Sequence, residues 1–288
     1  MPLPKLPTSH YAAVGRFSTI GTNRGNIMKR VARKWNWIVV ALLLMPAAAL
    51  GADAKDVFEP HVFDGPDGAK LPYRLMQPKD YDAKKKYPLV LFLHGAGERG
   101  TDNLIQLVHG MNDFAKDENR EKYPCFVVAP QCPAGKRWVE VDWTLDAHDF
   151  DEKPSETMQL VIALLDSLEK KYSIDKSRLY VTGLSMGGFG TWDLICRFPD
   201  KFAAAAPICA GADEKQAPKL AKIPIWTFHG DKDTVVKPSR SRNMIAAIKE
   251  AGGKPLYTEY AGVGHDSWVA AYRDPKLMEW LFAQKRPN

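Results

Sequence analysis

Residues 178–194 read RLYVTGLSMGGFGTWDL, and the architecture follows from how this stretch must be built. Leu179–Thr182 is an apolar, β-forming run. Gly183-Leu184-Ser185-Met186-Gly187 comes next, and Thr191 to Phe198 continues a helix that starts right after Ser185 and ends before Pro199. Strand, tight turn and helix, with a serine at the apex and glycines two residues to either side, is the arrangement that lifts a hydroxyl to the top of a sheet. Small residues are needed because the turn is strained and close-packed. The hydroxyl then stands at the positive end of the following helix.

The same alternation extends in both directions. Leu89–Leu93, Phe126–Ala129, Ala203–Ile208 and Ile225–Phe228 are continuous apolar runs. They suit strands buried on both faces of a parallel sheet. Val57–Phe63 and Tyr73–Gln77 read as an opening antiparallel pair around the turn Gly65-Pro66-Asp67-Gly68. Met158, Val161, Ile162, Leu165, Leu168 and Tyr172 recur at three- and four-residue steps, which predicts a helix over Ser155–Tyr172 after Pro154. Ser239–Ala251 reads as another, closed by Gly252-Gly253, and Trp268–Ala283 as the last. No repeat period appears, and no linker divides the body. The expectation is an α/β fold in which residues 55–288 form one domain, a mostly parallel sheet with helices on both faces. Ligands on such sheets bind beyond the carboxyl ends of the strands.

A serine hydroxyl is a weak nucleophile without a base and an acid that orients the base. On a sheet of this kind the chain order is Ser, then Asp or Glu, then His. Ser185, Asp233 in HGDKD and His265 in AGVGHD satisfy it. His265 is the only His after Asp233, and its glycine-rich loop lets the imidazole swing toward the serine. Asp231 is the competing carboxylate, but it follows His229-Gly230 directly and is expected to stabilise the turn. His229 is expected to bond loop backbone.

A tetrahedral oxyanion needs two preorganised backbone N–H donors. Met186, the residue after the serine, is one. The loop LHGAGERG after Leu89–Leu93 offers the other through Ala96 or Gly95, with His94 as a brace. Arg99 in that loop is a candidate to hold a substrate carboxylate. The loop lacks the GxxxxGK[ST] pattern of a phosphate cradle. Residues 138–152, WVEVDWTLDAHDFDE, carry Trp138 and Trp143. They either line a pocket as an aromatic rim for a sugar or aromatic acyl group, or pack against the helix from Ser155. No CxxC or HExxH occurs, so neither a metal nor a cofactor is expected. Cys125 and Cys132 bracket one strand, too far apart to bridge each other. Pairing with Cys196 or Cys209, and four buried thiols, are both open.

The 288 residues are 45% hydrophobic and 26% charged, an ordinary globular balance that excludes collagen and wholesale disorder. The net charge of +6 suggests a nucleic-acid partner until its distribution is read. Residues 1–52 hold seven of the 40 basic residues and no acidic one, which leaves 33 basic against 34 acidic in the rest. A neutral body with a basic leader is not a nucleic-acid binder's footprint. From Met28 the leader reads MKRVARKWNWIVVALLLMPAAALGADA. Basic residues, an apolar run too short to span a membrane comfortably, Pro46 and small residues make the pattern of a secretory signal over 28–54. Export to the periplasm or medium is expected, with cleavage near residues 52–55. The alternative is an uncleaved N-terminal anchor. Residues 1–27, rich in Pro, Gly, Ser, Thr and Asn, read as preceding the true start.

LHGAGERG, the PQCP segment, GLSMGGFGTWDL, HGDKD and GHDSW together resemble the α/β-hydrolase superfamily. More narrowly, they are similar to bacterial secreted carboxylesterases and predicted peptidases of the phospholipase/carboxylesterase and dienelactone-hydrolase-like groups. The resemblance covers roughly residues 70–283. It implies a triad of Ser185, Asp233 and His265 acting through an acyl-enzyme on a small-molecule or polysaccharide-linked ester. No stretch of the sequence reads as the large N-terminal domain of prolyl oligopeptidases, so a substrate class borrowed from them is expected to be analogy alone. The alternatives are a peptidase or polyester depolymerase with the same triad and, from another class, a non-catalytic binding protein.

Overall fold

The computed structural model describes residues 53–287. Apart from Asp53 and Ala54, the signal read over 28–54 lies outside the described residues, as does the stretch 1–27. Eight strands form one sheet: β1 (Glu59–Asp64), β2 (Lys70–Met76), β3 (Tyr87–Leu93), β4 (Phe126–Pro130), β5 (Ile174–Leu184), β6 (Ala204–Ile208), β7 (Trp226–Gly230) and β8 (Leu256–Tyr260). Their order is β1-β2-β4-β3-β5-β6-β7-β8. The β1–β2 and β2–β4 pairs are antiparallel and the rest are parallel. This is the α/β-hydrolase fold. Every residue of β3, β4 and β6 is buried, as expected of strands covered on both faces.

Five helices matter most here: α1 (Glu156–Lys171), α2 (Met186–Arg197), α3 (Ser239–Glu250), α4 (Trp268–Arg273) and α5 (Pro275–Ala283). Helix α1 starts where its sequence says it should. Ser155 caps it, its Oγ accepting the Met158 N–H at 3.0 Å. Met158, Val161, Leu164, Leu165 and Leu168 are its buried stripe.

The last helix differs from expectation. Trp268–Ala283 is not continuous but breaks at Asp274. Pro275 has no N–H to continue α4, and Asp274 caps α5 by accepting the Lys276 N–H at 2.9 Å. The apolar periodicity ran across the break and masked it. Cys125, Cys132, Cys196 and Cys209 are all buried free thiols. Among the described residues no helix is long and apolar enough to cross a membrane.

The register decides where chemistry can occur. Leu93 pairs with Gly183, Leu184 with Ile208, Ile208 with Phe228, and Gly230 with Tyr260. The carboxyl ends of β3, β5, β6, β7 and β8 are therefore level, and the loops that leave them meet at one rim.

Candidate active site

Ser185 stands at that rim with φ 52° and ψ −119°, outside the regions a residue with a side chain prefers. Its surroundings over-determine this conformation. The Ser185 N–H is held by Ile208 O at 3.0 Å, and Ser185 O accepts the Phe189 N–H at 3.0 Å to open α2. The glycines are what let the turn close. A Cβ on Gly187 would lie 1.9 Å from Leu93 O, and one on Gly183 would lie 2.4 Å from Gly187 O. Both distances are far inside contact, so no other residue fits.

Two loops bring the other groups. The turn after β7 and the turn after β8 are laced together: Lys232 N–H donates to Val263 O at 2.9 Å, and Gly262 N–H to Asp231 Oδ1 at 2.7 Å. Asp231 thus serves the turn. Asp233 turns inward, buried, and accepts four hydrogen bonds. Oδ1 takes Val235 N–H at 2.8 Å and Val236 N–H at 3.0 Å. Oδ2 lies 2.7 Å from His265 Nδ1 and 3.2 Å from His229 Nε2. Burial alone would raise this carboxyl. The hydrogen bonds from His229, His265 and Val236 outweigh it and hold the group far below the usual carboxylate range. An ionised Asp233 requires the proton of His265 on Nδ1. Nε2 is then a free acceptor, and it lies 2.8 Å from Ser185 Oγ. The structure brings Ser185, His265 and Asp233 into one hydrogen-bonded line.

His229 does more than brace backbone. Its Nε2 is also 3.0 Å from Val236 O, and its Nδ1 is 2.8 Å from Ser241 Oγ, so it ties Asp233 to the first turn of α3. Its spacing, four residues before Asp233 across a turn, is the signal that was available in the sequence. Trp268, at the start of α4, packs partly buried against the core and stands edge-on to the His265 ring, with centroids 5.2 Å apart at 90°. It lies 5.4 Å from the ring of His109, whose Nε2 is 3.6 Å from Glu98 Oε1. The i, i+3 spacing from His265 at a helix start could have revealed Trp268.

The loop after β3 closes the other side. A Cβ on Gly95 would be 2.8 Å from Leu184 Cδ1 and 3.7 Å from Ser185 Cβ, so the backbone at Gly95–Ala96 lies against the serine. Ala96 opens a single 3₁₀ turn, Ala96–Glu98, and Met186 is the first residue of α2. N–H groups at such positions have no partner within their own helix. His94 holds the loop down. Its Nε2 accepts the Cys132 N–H at 2.9 Å, and Nδ1 lies 2.6 Å from Gly95 O. Those partners demand a neutral imidazole with its proton on Nδ1. Burial, foremost, pushes the His94 pKa down to about 4.

Three candidate pocket residues make contacts of their own, and Trp138 takes the packed alternative rather than the rim. Trp138 is fully buried and donates its indole N–H to His94 O at 3.0 Å, so it supports the loop from beneath and is not a rim residue. Trp143 is half-buried with the Arg137 guanidinium 4.4 Å over its ring. Arg99 binds main chain, donating from Nε to Ala96 O at 2.8 Å and from Nη1 to Lys136 O at 3.4 Å. Cys209, Asp233 and His265 place donor atoms within 4.8 Å of one another. Asp233 and His265 are already bonded to each other, so this trio is the back of the same site.

Known proteins place the chain further. The bifunctional acetylxylan esterase/xylanase of Neocallimastix patriciarum is 35% identical over 164 residues, 57% of this chain and 22% of that protein. Poly(3-hydroxyalkanoate) depolymerase C of Paucimonas lemoignei is 32% identical over 124 residues, 43% of this chain and 28% of that protein. The chain thus spans under a third of the length of either relative. A thermostable esterase of known structure superposes with a TM-score of 0.75 at 44% identity, covering 80% of this chain and 64% of that one. A ferulic acid esterase shares the fold with a TM-score of 0.60 at 20% identity, over 78% of this chain and 98% of that one. The phospholipase/carboxylesterase pattern matches residues 80–276, more than half of the sequence, and the chain belongs to that family of α/β-hydrolases.

Proposed function

We propose that this protein is an exported serine hydrolase that cleaves carboxylic esters through an acyl-enzyme. The observation that carries the reading is the continuous line Ser185 Oγ–His265 Nε2–His265 Nδ1–Asp233 Oδ2, at 2.8 and 2.7 Å, beneath a loop that presents backbone N–H groups. Ser185 Oγ attacks the ester carbonyl while His265 Nε2 takes its proton. Asp233, already ionised and held by four bonds, stabilises the imidazolium that forms. The Met186 and Ala96 N–H groups receive the oxyanion, each such donor being worth about 2.7–4 kcal/mol of barrier. His265 then protonates the leaving alcohol. Water, deprotonated by the same imidazole, releases the acid and restores Ser185.

Esters are favoured over peptides because relatives above 30% identity include a bifunctional acetylxylan esterase/xylanase, a poly(3-hydroxyalkanoate) depolymerase and a thermostable esterase. Polysaccharide-linked and small-molecule esters are the proposed substrates. The leader at 28–54 supports export, and an uncharacterised secreted protein of Arthroderma benhamiae is 27% identical over 267 residues. The test is turnover of short-chain nitrophenyl esters by the purified protein and by Ser185→Ala. A loss of roughly 10⁴-fold or more in kcat is expected. Equal turnover by the two proteins refutes the reading.

A further inference from the structure

Arg240, in the first turn of α3, is 1% exposed. A buried guanidinium is costly unless a carboxylate or a full set of acceptors neutralises it. Here neither is present. Nη2 donates to His148 Nδ1 and, at 3.3 Å, to Ala212 O. Nε and Nη1 have no partner among the described residues. Glu214, Asp146 and Asp213 act on the group only at longer range, and none of them forms an ion pair with it. The His148 ring supplies no countercharge. Burial, and then Arg240 beside it, keeps the imidazole neutral down to about pH 4.

The position of this unpaired cation matters as much as its state. Its guanidinium lies 5.7 Å from the ring of Phe189, which is one turn beyond Ser185 on α2. The next residue along, Ser241, is bonded to His229 and so to Asp233. Gly211, in the loop after β6, lets that loop close on the arginine; a Cβ there would be 2.8 Å from Arg240 Cβ. The arginine thus lies over Phe189, whose N–H bonds the Ser185 carbonyl, and is one residue from the bonds that hold the acid. Its cover is His148, from a segment tied by two surface ion pairs, Asp146–Lys237 at 2.7 Å and Asp149–Lys215 at 2.8 Å, by the Phe150 N–H to Asp213 Oδ2 at 3.1 Å, and by Arg197 to the carbonyls of Asp151 and Glu152 at 2.6 Å. The two exposed pairs contribute about 0–1 kcal/mol each, while Phe150 and Arg197 hold the far side of the segment, so an incoming carboxylate has chiefly to turn the His148 side chain off Arg240.

We propose that Arg240 anchors an anion subsite beside Ser185 and that the protein prefers esters whose substrate carries a carboxylate. A carboxylate supplies both things the guanidinium lacks, acceptor atoms and countercharge. The inference rests on Ser185 as the nucleophile. The carboxylate can belong to the acyl group or to the alcohol, and matched pairs of esters separate the two. The acyl pair is para-nitrophenyl hydrogen glutarate against para-nitrophenyl pentanoate. The alcohol pair is para-acetoxybenzoate against para-acetoxybenzamide.

The wild-type protein should favour the acidic member of one pair by about tenfold or more in kcat/KM. Arg240→Met should abolish that preference, and Arg240→Lys should keep part of it. Turnover with no preference in either pair, or a preference that survives in Arg240→Met, overturns this proposal alone. No turnover of any of the four esters overturns the hydrolase reading with it. A second measurement needs no variant: free glutarate or para-hydroxybenzoate should inhibit the wild type about tenfold more strongly than the corresponding amide. Equal inhibition by acid and amide also refutes the proposal.

Discussion

The turn at Ser185 and the segment 138–153 are both loops at the rim of one sheet, yet they are held by opposite means. The serine turn is fixed by excluded volume and buried hydrogen bonds. Backbone oxygens stand where a Cβ on Gly183 or Gly187 would be, and Asp233 has every acceptor site filled. The segment 138–153 is buried at Trp138 and exposed over Thr144–Ala147. Beyond Trp138 it is tied inward at His148 and Phe150, and at the surface by Asp146–Lys237, Asp149–Lys215 and two Arg197 bonds to the carbonyls of Asp151 and Glu152. The first kind of loop cannot shift without losing several kcal/mol, because buried polar groups would lose their partners. The second kind can. Proton transfer between fixed side chains needs the first.

The largest expected effect breaks the rigid side. Asp233→Asn leaves the packing intact but favours the wrong tautomer of His265, and kcat should fall about 10⁴-fold. Steady-state kinetics with unchanged circular dichroism is the check. A loss under tenfold would mean that the four bonds to this carboxylate are structural only.

A smaller effect sharpens the comparison through pH. His94 must be neutral to accept the Cys132 N–H, and its folded pKa near 4 lies below the ordinary value of 6.5. The unfolded chain therefore binds the extra proton first. The stability this residue contributes is complete above pH 6.5 and is lost as pH falls toward 4, by roughly 3 kcal/mol in all. Urea unfolding at pH 7 and pH 4.5 should show that drop, and His94→Gln should flatten it. An equal slope in the variant would remove His94 from the account.

The smallest effect belongs to the surface-tied side. Asp146→Asn removes one exposed ion pair and should change unfolding free energy by less than about 1 kcal/mol. Chemical denaturation measures it. A cost several times larger would show that the segment 138–153 is as firmly fixed as the serine turn.

What was legible in the sequence divides along the same line. Glycines that admit a backbone, runs apolar on both faces, and the Ser–Asp–His chain order are local signals, and they located the strands, the turn at Ser185 and the preference for Asp233 over Asp231. Groups defined by what lies across from them were hidden. For Trp138 the polar stretch left rim and packed positions both open, and it is the core around Met158 and the His94 carbonyl opposite that settle its burial. Arg240 reads as an ordinary residue in a polar helix turn, and it is the close approach of Gly211 that takes it out of water. Trp268 was within reach of a spacing argument from His265, but His109, which meets the Trp268 ring from another loop, was not. Pro275 is the exception, a legible break overridden by an apolar period that ran past it.

The most direct measurement is covalent labelling by a fluorophosphonate, followed by peptide mass spectrometry. In the wild type the adduct should fall on Ser185 alone, and His265→Ala should slow its formation by orders of magnitude. Labelling at another residue, or no labelling of folded protein, would contradict the claim that these three side chains act as one nucleophilic unit.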